Sequence, residues 1–337
     1  MKRLYVFCAV FATAITAAIS LGTVSASAAT CTATGFVRDN INLTAVLVNP
    51  VGTVTGTVNA GGVGGCNIGV YYGSGHTGSV SGATVENANY FGVVNNGGNV
   101  SVTNSTVTNI GETPLNGDQH GVGIYFAFEG NSTGTIKSNT VSNYQKGGIE
   151  VNGIGSSAPI SENTVIGQGP VNYIAQNGIE VGYGATATVF NNVVTGNAYT
   201  GANNASSGGI LVFGGPCYGG SYTTGVTVSH NTLTNNDVGI FFSNVDATCT
   251  NPPATATNDT ALSNTITNNN PTPSNVSGNG YPNGYQAGIS DFGNSDSLVK
   301  NKISGNGYNP AFQPTALSLY TQIDTSGSTA PYLSKNK

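Results

Sequence analysis

Apolar residues recur along this chain in three spaced columns. The unit is plainest in Ile136–Val151. An apolar residue is followed three positions on by Asn and two further by Val, then by a polar turn, then by Gly-Ile-x-Val. The first column reads Val80, Val102, Ile136, Ile160, Val189, Val228, an ill-defined Ala261 or Leu262, and Leu298. The second follows five residues later: Val85, Val107, Val141, Val165, Val194, Leu233, Ile266 and Ile303. The third is Val93, Ile124, Ile149, Ile179, Ile210, Ile240, Ile289 and Leu317. Short β-branched runs bounded by Gly, Asn and Ser read as strands. Their repetition reads as a solenoid, in which each coil buries its apolar side only by stacking on its neighbours. The pattern predicts an all-β fold with three strands per coil and about eight to ten coils. Variable spacing argues against propeller blades, and no long amphipathic period supports helical repeats.

Two residues before the second column stand Asn139, Asn163, Asn192, Asn231, Asn264 and Asn301. Stacked amides of this kind bond up and down a solenoid as a ladder, so they are assigned no chemistry. The repeat is expected over residues 76–324, with 29–75 as an N-terminal cap and first irregular coil and 325–337 as a tail. Arg38 and Asp39 are read as surface or cap residues. Lys2 and Arg3, an apolar run from Leu4 to Leu21 and Ala26-Ser27-Ala28 have the form of a secretory signal peptide spanning 1–28. A secreted protein is therefore expected. With Cys8 removed, Cys31, Cys66, Cys217 and Cys249 remain, an even number that suggests two disulfides in an exported chain. Cys217 and Cys249 fall in neighbouring insertions, Gly214–Thr224 and Ser243–Asn258, so the register favours Cys31–Cys66 and Cys217–Cys249. No C-x-x-C spacing points to zinc.

Charged residues are only 7% of the chain and the net charge is −5. Past the leader the basic residues are Arg38, Lys137, Lys146, Lys300, Lys302, Lys335 and Lys337, scattered rather than clustered. Nucleic acid and an anionic membrane surface are thus not expected partners, and a polyanionic glycan would find few counter-charges. A monomer is expected.

The columns, with Asn139-Thr140-Val141 and Gly148-Ile149-Glu150-Val151, or Asn231-Thr232-Leu233 and Gly239-Ile240-Phe241-Phe242, resemble the right-handed parallel β-helix proteins of the pectate-lyase-like superfamily, over roughly residues 68–319. The resemblance implies a right-handed parallel β-helix. It leaves function open among lyases, hydrolases, epimerases and adhesins. Lyases of that superfamily use an Arg base with calcium-binding acids, and here the one Arg past the leader, Arg38, is placed in the cap. Polygalacturonase-like hydrolases carry clustered Asp, a His-Gly and an Arg-x-Lys. His120-Gly121 is present, the Arg-x-Lys is not, and neither activity is expected.

The residue after each third-column position points outward: Val94, Tyr125, Glu150, Glu180, Leu211, Phe241 and Ser290. Glu150 and Glu180 fall on adjacent coils, about 4.8 Å apart along the ladder. Two carboxylates so close share a proton or a cation; separations of about 5–5.5 Å suit a retaining glycosidase and wider ones of roughly 6.5–9.5 Å an inverting one. Lys146, Asp118 and His120 are expected to support this catalytic pair, with Tyr125, Phe241 and Asp237 beside the substrate. No cofactor is expected. A calcium ion between the carboxylates is the one option, and no calcium-loop motif indicates it. The function expected is binding of an extracellular glycan in a groove along this strand, with hydrolase or lyase cleavage left open. The alternative is a non-catalytic cell-surface, adhesive or structural solenoid, in which the two Glu simply splay into solvent.

Overall fold

The structure, a computed structural model, describes residues 23–24, 30–270, 274–277 and 280–337. The leader expected over 1–28 lies, but for Thr23–Val24, outside the described residues. The chain winds as a parallel β-helix. Ile136 pairs with Val102 and Ile160, Val141 with Val107 and Val165, and Ile149 with Ile124 and Ile179, so each column is one parallel ladder. The first two ladders merge into one sheet, because Thr77–Glu86 runs through both; the third forms the opposite sheet. Branched side chains of the three columns meet inside, and Val85, Val141, Ile160 and Ile240 are fully buried in a single continuous core. The ambiguous first-column position is Ala261, which pairs with Val228 and Leu298.

A glycine ladder accompanies the third column. At Gly92, Gly123, Gly148 and Gly178 an added Cβ would come within 2.3–2.5 Å of the second-column Val of the next coil. Only glycine lets the two sheets approach there. The asparagine ladder runs as expected. Each Asn accepts at Oδ1 from the backbone N–H and side-chain amide of the Asn before it and donates to a first-column carbonyl, as Asn192 does for Ile160. The stack begins at Ser105, whose N–H donates to Asn139, and ends at Asn336, which accepts from Asn301.

Three expectations need correction. Residues 29–75 are not irregular: Leu47 pairs with Val70 and Val70 with Val93, so the third ladder already runs there. The true cover is Thr32–Arg38, which pairs antiparallel with Ile41–Val48 and closes the sheet edge. The last third-column residue is Ile323, which pairs with Ile289, whereas Leu317 is exposed. The tail is not loose, since Tyr332–Ser334 pairs with Ser297–Val299. Both disulfides form as expected, Cys31–Cys66 tying the cover strand to the body and Cys217–Cys249 joining the two insertions. No helix among the described residues is long and apolar enough to cross a membrane.

Candidate active site

Alternation along Gly147–Asn152 sends Ile149 and Val151 inward and Glu150 and Asn152 outward. Glu150 is paired in register with Tyr125 on one side and Glu180 on the other. Each glutamate is only 7% exposed, so neither splays into solvent. Gly147 makes the room: a Cβ there would lie 2.2 Å from Glu150 Oε1. The next coil has Asn177 at that place, and its amide donates to Glu180 Oε2 at 3.0 Å. The Asn152 amide donates to both carboxylates, at 3.5 Å from each.

Burial and the neighbouring Glu180 push Glu150 well above the usual carboxylate range, against the opposing pull of Lys146 and Arg38. Burial also raises Glu180, but Lys146, Asn177 and Asn152 hold it down. Both carboxyls are thus raised, and the pair retains one proton between them. Lys146 is half-buried beside them, with Nζ donating to the Ala175 carbonyl at 3.2 Å.

The pair lies on the floor of a cleft of about 460 Å³ walled by Arg38, His120, Tyr125, Phe128, Tyr183 and Tyr218. Arg38 is not a bystander in the cover. The cover strand ends in a two-residue turn, Asp39-Asn40, with φ of 51° and 62°. That turn delivers Arg38 over the third ladder. Its guanidinium pairs with Glu129 at 2.7 Å, donates to the Tyr125 hydroxyl and lies over the rings of Phe36 and Tyr125. Tyr125 stacks on Phe91 with centroids 4.9 Å apart, and burial raises its phenol well above the ordinary range in spite of Arg38. His120 lies flat on Tyr90, with Nε2 3.0 Å from Glu112 Oε1 and Nδ1 3.4 Å from Asp39 Oδ2.

Of the residues expected from sequence, the fold brings together Glu150, Glu180, Lys146, His120 and Tyr125. Asp118 is not among them: it is exposed on its loop and takes a hydrogen bond from Asn116. Asp237 is fully buried and accepts from the backbone of Tyr199 and Ser207, so it is a structural fastener out of reach of any substrate. Phe241 is separated from Glu180 by Leu211 and lines a neighbouring cavity of about 340 Å³ with Tyr285 and Phe292. Five contributors went unassigned from sequence, Tyr183 among them. Asn152 was legible, since it lies two residues past Glu150 on the same face. Tyr218 carried a weaker signal, because it adjoins the stapled Cys217. Arg38 and Asn177 carried none.

Residues 44–216, just over half of the chain, match the family described as the right-handed β-helix region. The chain belongs to this family. No curated protein matches this β-helix. Among solved structures, the A-module of mannuronan C-5 epimerase AlgE4 from Azotobacter vinelandii is similar. It aligns over 85% of this β-helix and 86% of that chain at 15% identity, with a TM-score of 0.31. A likeness that distant assigns no activity.

Proposed function

We propose that this β-helix is an exported protein that binds an extracellular polysaccharide in the Tyr125–Tyr218 cleft and cleaves it as a glycoside hydrolase. The observation that carries the reading is the Glu150–Glu180 pair, two carboxyl groups buried side by side and both raised by burial, so that the pair keeps one proton and offers one acid and one carboxylate. Such a division separates an acid from a base or nucleophile at one pH. Glu150, protonated, gives its proton to the glycosidic oxygen as the bond from that oxygen to the anomeric carbon breaks. Glu180, ionised, bonds to the same carbon from the other side. Water then displaces Glu180 while Glu150 takes the water's proton, which restores both groups. A rung spacing of about 4.8 Å suits this double displacement, in which the carboxyl groups stand about 5–5.5 Å apart. Tyr125, Tyr183 and Tyr218 supply flat faces for sugar rings. Two disulfides are compatible with an oxidising compartment.

Arg38 in the cleft invites comparison with an Arg-based lyase. Its guanidinium, however, is held by Glu129 and donates to the Tyr125 hydroxyl, so it is paired rather than poised as a base. The test is a panel of polysaccharides assayed for new reducing ends, with NMR of the anomeric product. Glu150→Gln and Glu180→Gln are each expected to abolish turnover, and the first-formed product is expected to retain its anomeric configuration. Release of no product from any glycan, or full activity in both variants, discards the hydrolase and favours the non-catalytic solenoid.

A further inference from the structure

The cleft is barred at one end. Outward positions of the third ladder follow one another as Val94, Tyr125, Glu150, Glu180, Leu211 and Phe241, each in register with the next. A polymer lying along the ladder passes over them in turn. Val94 points outward and is nevertheless fully buried, because Phe36 of the cover strand packs on Tyr71 and Phe91 in the same apolar cluster. The tip of the cover hairpin is then fastened at both flanks of strand Val122–Phe126. Arg38 pairs with Glu129, just past the end of that strand, at 2.7 Å, and donates to the Tyr125 hydroxyl within it. Asp39 reaches His120, just before the strand begins, with Oδ2 3.4 Å from Nδ1. Arg38 and Asp39 thus cross the ladder from flank to flank at the Tyr125 rung. One strand spacing, about 4.8 Å, separates that rung from Glu150, and Glu150 feels the Arg38 charge. The tip is no loose flap, since Phe36 is buried behind it and Cys31–Cys66 ties the same strand to the body.

On the other side of the pair the groove runs on. Lys146 and Tyr218 line both the cleft and the neighbouring cavity of about 340 Å³, where half-buried Leu211 and Phe241 continue the outward row. Tyr285 and Phe292 line that cavity and also a further hollow of about 200 Å³ that reaches Asp324 and Ser326. The glutamates therefore stand beside the closed end of the groove, and most of its length lies beyond Glu180. An internal stretch of a long chain continues in both directions from the bond to be cut. It cannot lie across a pair that has a wall one rung away, whereas a chain terminus can.

We infer that this β-helix takes a polysaccharide by its chain end and releases the terminal unit or pair of units, an inference that rests on the hydrolase reading above and adds its mode of attack. The Arg38–Asp39 tip is the wall against which the chain end stops, and it sets the length of the product. The cavity of Leu211, Phe241 and Phe292 holds the part of the chain that trails away from the bond being cut.

The test uses hexasaccharides of glucose, xylose, mannose and galacturonate, each beside its soluble parent polymer. Calorimetric titration of the Glu150→Gln protein is expected to give one protein per chain for hexasaccharide and polymer alike. Several proteins per polymer chain overturn the inference. The wild-type protein acting on the polymer is expected to yield a single short product from the first time point, with viscosity falling far more slowly than reducing ends appear. A series of intermediate lengths from the outset, with early loss of viscosity, overturns the inference and keeps the hydrolase. One protein per chain with no cleavage removes the hydrolase and keeps the inference, and no binding to any hexasaccharide or polymer overturns both. Arg38→Ala with Asp39→Gly, a residue suited to the φ of 51° there, is expected to lengthen the first product at an unaltered melting temperature. A folded variant with an unchanged first product overturns the role of the tip. Should the variant not fold, the wild-type product and the binding ratio decide.

Discussion

Glu150 stands directly beside Glu180 in the next strand of the ladder, and each is only 7% exposed. Two like charges cannot both be held there, so one proton is retained. Because Glu180 raises Glu150, Glu180→Gln is expected to lower the Glu150 titration midpoint, read by carbon NMR of labelled glutamate. A carboxyl raised in the folded state stabilises the fold below the ordinary carboxylate range and loses that contribution as pH rises through its folded midpoint. Activity that depends on protonated Glu150 is expected to fall on the same alkaline side. A Glu150 midpoint indifferent to Glu180→Gln means that the pair is not coupled.

Among the described residues, the Asn152 amide is the donor shared by both glutamates. Replacing it by Leu keeps the volume and removes the donor. Hydrogen bonds to charged groups contribute about 1.5–3 kcal/mol, so Asn152→Leu is expected to raise the titration of Glu180 and cut turnover by about tenfold or more. Asn152→Asp adds a third carboxylate and is expected to be worse in both respects. If Asn152→Leu leaves turnover and titration alone, the amide does not bridge the pair in solution.

The core was legible because every coil repeats it. Val141 and its column mates follow the first column at a constant five residues, and the Asn between them marks the turn. The signal failed where that spacing changes. In Thr53–Asn59 the two columns are Val54 and Val58, four apart and without the Asn, and a register shift absorbs the difference against Thr77–Glu86. The coil therefore looks irregular in sequence. Leu317 failed for another reason: the short 3₁₀ turns Asn306–Tyr308 and Pro310–Phe312 lengthen the preceding loop, and apolar Leu317 is left exposed ahead of the real partner, Ile323.

The glutamate pair was visible in period-two alternation along one strand and its copy. Arg38 was not, because its contact with Tyr125 joins residues 87 apart through a hairpin that folds back over the sheet. No local pattern encodes such a contact. Asp237 misled because its position in sequence near the ladder said nothing of the two backbone N–H groups waiting for it inside.

The asparagine ladder is expected to be cooperative. Asn192 accepts from the N–H and amide of Asn163 and donates to Ile160 and Asn231, all while 1% exposed. Asn192→Ala orphans several buried groups at once and is expected to cost about 2–4 kcal/mol in denaturant unfolding. An end position has fewer partners to lose, so Asn336→Ala, half-buried at the last rung, is expected to cost less. Equal losses at the two positions contradict the stack as the source.

The last coils hold a second acidic group, away from the cleft. Asp291 and Asp296 are fully buried and lie in contact, and neither Oδ2 has a donor from elsewhere. Asp296 Oδ1 accepts from the Thr257 hydroxyl at 2.6 Å and the Asp259 N–H at 2.7 Å, with Asp259 close behind. Burial, with the charge of Asp291 added, raises Asp296 to about 8. Its contribution to stability is therefore complete below the ordinary carboxylate range and lost as pH climbs to about 8. The melting temperature is expected to decline across that window and to level off above it. Asp296→Asn keeps the acceptor for Thr257 and Asp259 but carries no charge, so it is expected to flatten the decline and leave the variant relatively more stable at high pH. A wild-type melting temperature that instead rises steadily through the window means that Asp296 is already ionised in the fold.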